Sequence, residues 1–118
     1  MFSSAETRFT EHPAFFDFEG GLTRHWLFRF PNGYGASVIS GEIAYGSPAA
    51  PYELGVVKWN ANEDYQLCYN TPIAQDVIGY QTEQDVLQLL DQIQQLPDRI
   101  DYQGNLISRK NVQLAFDF

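Results

Sequence analysis

Residues 25–40 read HWLFRFPNGYGASVIS, and this stretch decides the fold that the sequence predicts. Trp26, Phe28 and Phe30 occupy every second position, which is the period of a strand with one buried face. Asn32-Gly33 follows this run. The dipeptide indicates a tight hairpin turn, because both residues tolerate positive φ. Residues 36–40 are then expected to return as the second strand of an antiparallel pair.

Two further strands are predicted C-terminal to this hairpin. Residues 52–59, YELGVVKW, form the clearest one, and Tyr52, Leu54 and Val56 are expected to face the core. A polar connection over residues 60–64 leads into residues 65–69, YQLCY, which alternate again. Four strands joined by short loops predict an antiparallel four-stranded meander with one buried face.

An amphipathic helix is predicted after these strands. Thr82 is placed as its N-cap, Asp85 three residues later completes a capping box, and Pro97 ends it. One apolar stripe runs along this helix: Val86, Leu89, Leu90, Ile93 and Leu96. A helix with one apolar stripe is expected to pack on a sheet with one apolar face, which gives the α+β class.

A single domain is predicted for residues 1–118, since a chain of this length is typical of one domain. It is divided into an N-terminal arm (1–23), a core of sheet plus helix (24–97) and a C-terminal tail (98–118). The N-terminus does not show the pattern of a signal peptide, no run predicts a membrane span, and Cys68 is the one cysteine. We therefore expect a cytoplasmic protein with no membrane partner.

The charge distribution points to the class of partner. The formal net charge is −8, and the segment from Phe30 to Asp98 holds nine acidic residues and one basic residue, Lys58. Phosphate binding needs clustered Lys and Arg, so direct binding of nucleic acid is disfavoured. The charge favours a protein with a basic surface, while simple solubility is the alternative explanation. The carboxylates predicted to bind such a partner are the ones outside the predicted helix that lie nearest the sheet loops: Glu53, Glu63, Asp64 and Asp76.

Catalysis and metal binding receive little support from the sequence. Cys68 and His25 both lie on predicted strands, and a thiolate beside a base is one arrangement for a small enzyme, as is a pair of carboxylates. A lone strand cysteine is more often a small core residue. One Cys and two His do not match the spacing of a zinc site. We therefore expect a non-enzymatic protein without metal or cofactor.

The C-terminal residues 113–118 read QLAFDF and resemble the hexapeptide by which many bacterial proteins bind the replicative sliding clamp. Gln113, Leu114, Phe116 and Phe118 match that pattern by position, although Phe116 stands where Leu is usual. The resemblance implies a clamp-binding accessory protein. The alternative is a last strand of the sheet, since Val112, Leu114, Phe116 and Phe118 alternate.

A second resemblance covers residues 24–97. Residues 32–38, 52–56, 69–73 and 76–79 resemble small uncharacterised proteins encoded by tailed bacteriophages and prophages. That resemblance implies a protein of the host-cell cytoplasm that binds and inhibits a bacterial host protein, such as a CRISPR-Cas defence system.

Overall fold

The computed structural model describes residues 4–60 and 62–99, with side chains from residue 7 onward. Along this part of the chain the elements are α1 Ser4–Thr10, β1 Phe15–Glu19, β2 Thr23–Arg29, β3 Tyr34–Gly41, β4 Tyr52–Trp59, β5 Tyr65–Leu67, β6 Ile78–Gln81 and α2 Glu83–Gln94.

All pairings in the sheet are antiparallel, and strands β1 to β5 lie in chain order. Strand β6 pairs with the first half of β4, so β5 and β6 share one edge of that strand. The predicted α+β class, with an antiparallel sheet and a helix after it, is confirmed. The prediction of four strands is wrong, because six strands lie within the described residues.

The two strands that sequence reasoning missed both have interrupted alternation. Strand β1, in the predicted arm, shifts register between Phe15 and Asp17, which leaves Phe16 as an extra residue. Strand β6 has only four residues, and Tyr80 within it has a positive φ of 54°. Both irregularities hide the two-residue period that marks a strand.

The core lies between one face of the sheet and the two helices. Trp26, Val38 and Leu54 are neighbours across β2, β3 and β4 and are fully buried. Phe9 of α1 contacts this layer edge-on, with its ring centroid 5.4 Å from that of Trp26 and 5.0 Å from that of Tyr52. The α2 residues buried on this side are Val86, Leu90 and Ile93. The core positions predicted for β4 and for the helix stripe are thus confirmed in this layer.

The start of α2 has the capping box that the sequence predicts. The Thr82 hydroxyl accepts a hydrogen bond from the Asp85 backbone N–H at 3.1 Å, and the Asp85 carboxylate accepts one from the Thr82 N–H at 2.9 Å. The two bonds satisfy N–H groups that have no partner within the helix. The helix ends at Gln94, ahead of the predicted stop at Pro97.

The end of α2 is fixed by the hairpin turn between β2 and β3. The buried side-chain amide of Asn32 donates to the backbone carbonyls of Ile93, Gln94 and Leu96 at 2.8, 3.2 and 3.1 Å. Its Oδ1 accepts a hydrogen bond from the Tyr34 backbone N–H at 3.0 Å. One turn residue therefore joins the sheet to backbone carbonyls at the helix C-terminus, of which the Ile93 carbonyl also accepts a hydrogen bond from the Leu96 N–H at 3.1 Å.

We expect Asn32→Ala to lower the free energy of unfolding by about 2–4 kcal/mol, because it removes the Asn32 hydrogen bonds of the part-buried Gln94 and Leu96 carbonyls and of the Tyr34 N–H, and one of those of the Ile93 carbonyl. Chemical denaturation of both proteins measures this difference. Asn62→Ala, at an exposed loop position, is the matched control and should change stability by less than about 0.5 kcal/mol. Equal stability of the two variants would contradict the role assigned to Asn32.

Candidate functional site

The helices cover one face of the sheet, and no described helix packs on the other, which we call the open face. The strand registers place these residues on it: Asp17, Glu19, His25, Leu27, Arg29, Gly35, Ser37, Ile39, Glu53, Gly55, Val57, Trp59, Tyr65 and Leu67. A sheet with one packed and one uncovered face has a broad surface available for contacts with another protein.

Trp59 organises one end of the open face. Its indole Nε1–H crosses β3 and donates to the backbone carbonyl of Phe28 in β2 at 3.0 Å. This crossing needs Gly35, because a Cβ there would lie 2.4 Å from the indole nitrogen and 2.0 Å from the Phe28 carbonyl oxygen. The indole is buried although it lies on the open face.

Exposed apolar side chains surround Trp59. The rings of Phe16 and Tyr65 have their centroids 4.7 Å and 5.1 Å from that of Trp59, and Leu67 is the next open-face residue along β5. Phe16 is 40% exposed and Leu67 is 46% exposed. We call Phe16, Trp59, Tyr65 and Leu67 the aromatic patch. The guanidinium of Arg29 stacks on it, 5.0 Å from the Trp59 ring.

Carboxylates lie farther along the same face. Glu19, His25, Ile39 and Glu53 form one row across β1 to β4. Within this row Glu53 accepts a hydrogen bond from the Tyr45 backbone N–H at 3.0 Å. Glu19 is not among the carboxylates predicted to bind a partner, since the sequence predicts an arm for residues 1–23. A prediction of strand β1 would have placed Glu19 on the sheet.

The four predicted binding carboxylates are all placed in the described part of the chain. Glu53 lies on the open face, Glu63 and Asp64 lie in the exposed turn between β4 and β5, and Asp76 lies just before β6. They follow one edge of the sheet, formed by β4, β5 and β6, and they do not form a single cluster.

Exposed tyrosines accompany these carboxylates, and sequence reasoning did not single them out. Tyr45 is 63% exposed, Tyr69 is 43% exposed and Tyr80 is 60% exposed. The Tyr80 backbone N–H donates to the Tyr45 carbonyl at 2.7 Å, which brings the β3–β4 loop against β6. We use the name acidic edge for these four carboxylates and three tyrosines together: Glu53, Glu63, Asp64, Asp76, Tyr45, Tyr69 and Tyr80. No signal in the sequence distinguished these exposed tyrosines from Tyr52, which is buried.

The structure does not bring Cys68 and His25 together. Cys68 is buried with the core on the helix side of the sheet, and its thiol donates to the Asn70 side-chain oxygen at 2.9 Å. His25 is on the open face, where Nε2 is 2.8 Å from the Ser37 hydroxyl oxygen. Within residues 4–60 and 62–99, no group of three or more His, Cys, Asp or Glu is arranged to hold a metal ion.

A cavity of about 380 Å³ opens beside the C-terminal end of α2. Its walls come from the α1–β1 connection, the end of β2 and the helix: His12, Pro13, Ala14, Arg29, Phe30, Pro31 and Gln94. None of the predicted site residues lies in it.

The predicted sliding-clamp residues Gln113, Leu114, Phe116 and Phe118 lie outside the described residues, so the clamp-binding and strand interpretations both stay predictions. Neither described helix is long and apolar enough to cross a membrane. No family model matches this sequence, and searches among curated proteins and solved structures returned no significant match.

The two histidines give the fold a dependence on pH. Burial lowers the pKa of His12, and burial also lowers the pKa of His25 although Glu19 and Asp17 oppose this. An unfolded histidine has a pKa of about 6.5, so below that pH the unfolded chain binds protons that the folded chain does not.

We therefore expect the free energy of unfolding to fall as the pH is lowered from 7 to about 5.5. Chemical denaturation at several pH values measures how steeply the free energy of unfolding changes with pH. This change should be smaller in a variant with His12→Gln and His25→Gln. An equal change in the variant and the parent would show that these two side chains are not its cause.

Proposed function

We propose that this chain is a non-enzymatic protein of bacteriophage type that binds and inhibits a bacterial host protein through its acidic edge. The observation that carries the proposal is the placement of exposed tyrosines among carboxylates along β4, β5 and β6. The proposal that the source is a phage and the target a defence system rests on the sequence resemblance of residues 24–97.

Tyrosine beside carboxylate is a combination suited to protein recognition. A tyrosine contributes a large apolar ring and a hydroxyl at low cost in side-chain entropy, and tyrosines are enriched among the residues that contribute most to binding. The carboxylates supply complementarity to a basic partner and raise its association rate.

The carboxylates of the acidic edge are available for such a partner. The four form no ion pair with a described residue. Glu53 and Asp76 instead accept hydrogen bonds from the backbone N–H groups of Tyr45 and Val77. These bonds help to orient the carboxylates, and no cation of residues 7–60 or 62–99 neutralises their charge.

Inhibition follows if the acidic edge covers a basic groove that the host protein uses for nucleic acid, as in a CRISPR-Cas complex. Nine acidic residues between Phe30 and Asp98 are too sparse to copy the phosphates of a duplex, which lie about 1.7 Å apart along the axis. The edge therefore supports binding over a basic surface by a mixture of tyrosine contacts and charge.

We expect the variant with Glu53→Lys and Asp76→Lys to bind the partner about tenfold more weakly than the parent at low salt, because two lysines then repel the basic surface that the two carboxylates attract. The partner is first isolated from a bacterial host lysate by affinity capture and mass spectrometry. Its affinity is then measured by titration at two salt concentrations, and the difference should shrink at high salt. A second variant, with Glu63→Lys and Asp64→Lys, tests the turn between β4 and β5.

The control variant carries Glu11→Lys and Asp91→Lys, two exposed positions away from the acidic edge. It has the same net charge as either test variant and should retain near-parent affinity. If all three variants lose affinity equally, the effect comes from net charge and the acidic edge is not the binding surface. If none loses affinity, the electrostatic proposal is wrong.

A further inference from the structure

The turn between β2 and β3 contains a dipeptide that is chemically reactive. In an Asn-Gly sequence the glycine backbone nitrogen can attack the side-chain carbonyl carbon of the asparagine, because glycine has no Cβ to hinder the approach. The product is a five-membered succinimide ring, which water opens to aspartate or isoaspartate. Asn32-Gly33 is the one Asn-Gly dipeptide of the chain, so the turn holds the asparagine of this protein that is most prone to deamidation.

The fold requires both residues of this dipeptide. Asn32 supplies N–H donors for the carbonyls at the end of α2 and an acceptor for the Tyr34 N–H, a combination that an aspartate lacks. Gly33 has a φ of 92°, which side chains rarely adopt, and a Cβ there would lie 3.1 Å from the Cβ of Arg99. The reactive dipeptide is thus a consequence of how the sheet joins the helix.

The folded structure restrains both reacting groups. The Gly33 N–H, whose nitrogen would attack, donates to the Phe30 carbonyl at 3.1 Å. The side chain of Asn32 is 6% exposed and is held by its bonds to the end of α2, so it cannot turn toward that nitrogen. The neighbouring carbonyls are also bonded, because the Asn32 carbonyl accepts from the Arg99 N–H and the Gly33 carbonyl accepts from the Trp59 N–H, both at 2.9 Å.

Deamidation of Asn32 would remove the donors that α2 needs. The Gly33 nitrogen bonds to Cγ of Asn32 and gives up its proton, the Cγ–Nδ2 bond breaks, and ammonia leaves. Water then opens the ring and leaves a carboxyl group in place of the amide. A carboxylate is ionised at neutral pH and donates no hydrogen bond. It would face carbonyl oxygens at the negative end of the helix dipole, which is unfavourable.

We propose that Asn32 is a modification site that the native fold protects and that deamidates once the end of α2 separates from the turn. The conversion is one-way, since loss of ammonia to solvent is not reversed. Local opening of the end of α2 therefore sets the lifetime of the contact between helix and sheet. The proposal does not depend on the acidic edge, whose residues it does not use.

The test follows deamidation of the full-length protein at mildly alkaline pH by peptide mapping and mass spectrometry, in buffer and in unfolding urea. Asn62, which is exposed and precedes Glu63, is the internal reference. In urea we expect Asn32 to convert faster than Asn62, because only Asn32 precedes a glycine. In buffer we expect Asn32 to convert at least about a hundredfold more slowly than in urea, since it reacts only from the open state. The rate at Asn62 should change far less.

The consequence is measured on the converted protein, which ion exchange separates by its additional negative charge. Its midpoint of thermal unfolding should be lower than that of the parent by at least about 5 °C. Asn32→Asp makes the aspartate product directly and should show the same lowered midpoint. If that variant does not fold, the converted chain should likewise stay unfolded when urea is removed.

Three results would overturn the proposal. The first is deamidation of Asn32 in buffer nearly as fast as in urea, which would show that the fold gives no protection. The second is a rate at Asn32 in urea no higher than at Asn62. The third is a converted protein with the thermal midpoint of the parent, which would show that the amide is not needed at the end of α2. None of these results bears on the charge-reversal test of the acidic edge.

Discussion

The side chain of Asn32 is the interaction on which the arrangement of this domain depends. A helix C-terminus leaves backbone carbonyls without partners, and burying them unpaired costs free energy. Asn32 meets this requirement from the turn between β2 and β3, with its amide bonded to carbonyls at the end of α2. The amide therefore fixes where the helix ends relative to the sheet, and the apolar stripe of α2 determines which face it covers.

Because both helices pack on one face, the properties of the other face follow from its own side chains. At one end Trp59 covers part of this face itself, and it does so only because Gly35 leaves room for the indole. The bulge in β1 turns Phe16 onto the indole. The other end carries the carboxylates of Glu19 and Glu53. The surface thus combines an apolar end and an acidic end, and protein interfaces likewise join an apolar core to a polar rim.

The sequence predicted the parts of this structure that follow regular periods. The hairpin turn at Asn32-Gly33, the alternation in β4 and the capping box at Thr82 each have a local signature, and each is present in the structure, although within the turn only Gly33 has a positive φ, of 92°. Strand β1 was missed because adjacent Phe15 and Phe16 break the alternation. The aromatic patch escaped prediction for a related reason, since it depends on a bulge and on side chains from β1, β4 and β5, which are distant in sequence. The four carboxylates of the acidic edge were named from the sequence, whereas the tyrosines beside them emerged only once their exposure was known.

Native-state amide hydrogen exchange of the unmodified protein tests the central claim most directly, namely that Asn32 makes α2 and the sheet one cooperative unit. The account predicts that the amides at the end of α2 exchange with nearly the same free energy as those in the middle of β3 and β4, because the helix cannot open without breaking the bonds to Asn32. Exchange from the end of α2 at a much lower free energy than from these strands would show that the helix opens independently and would contradict it.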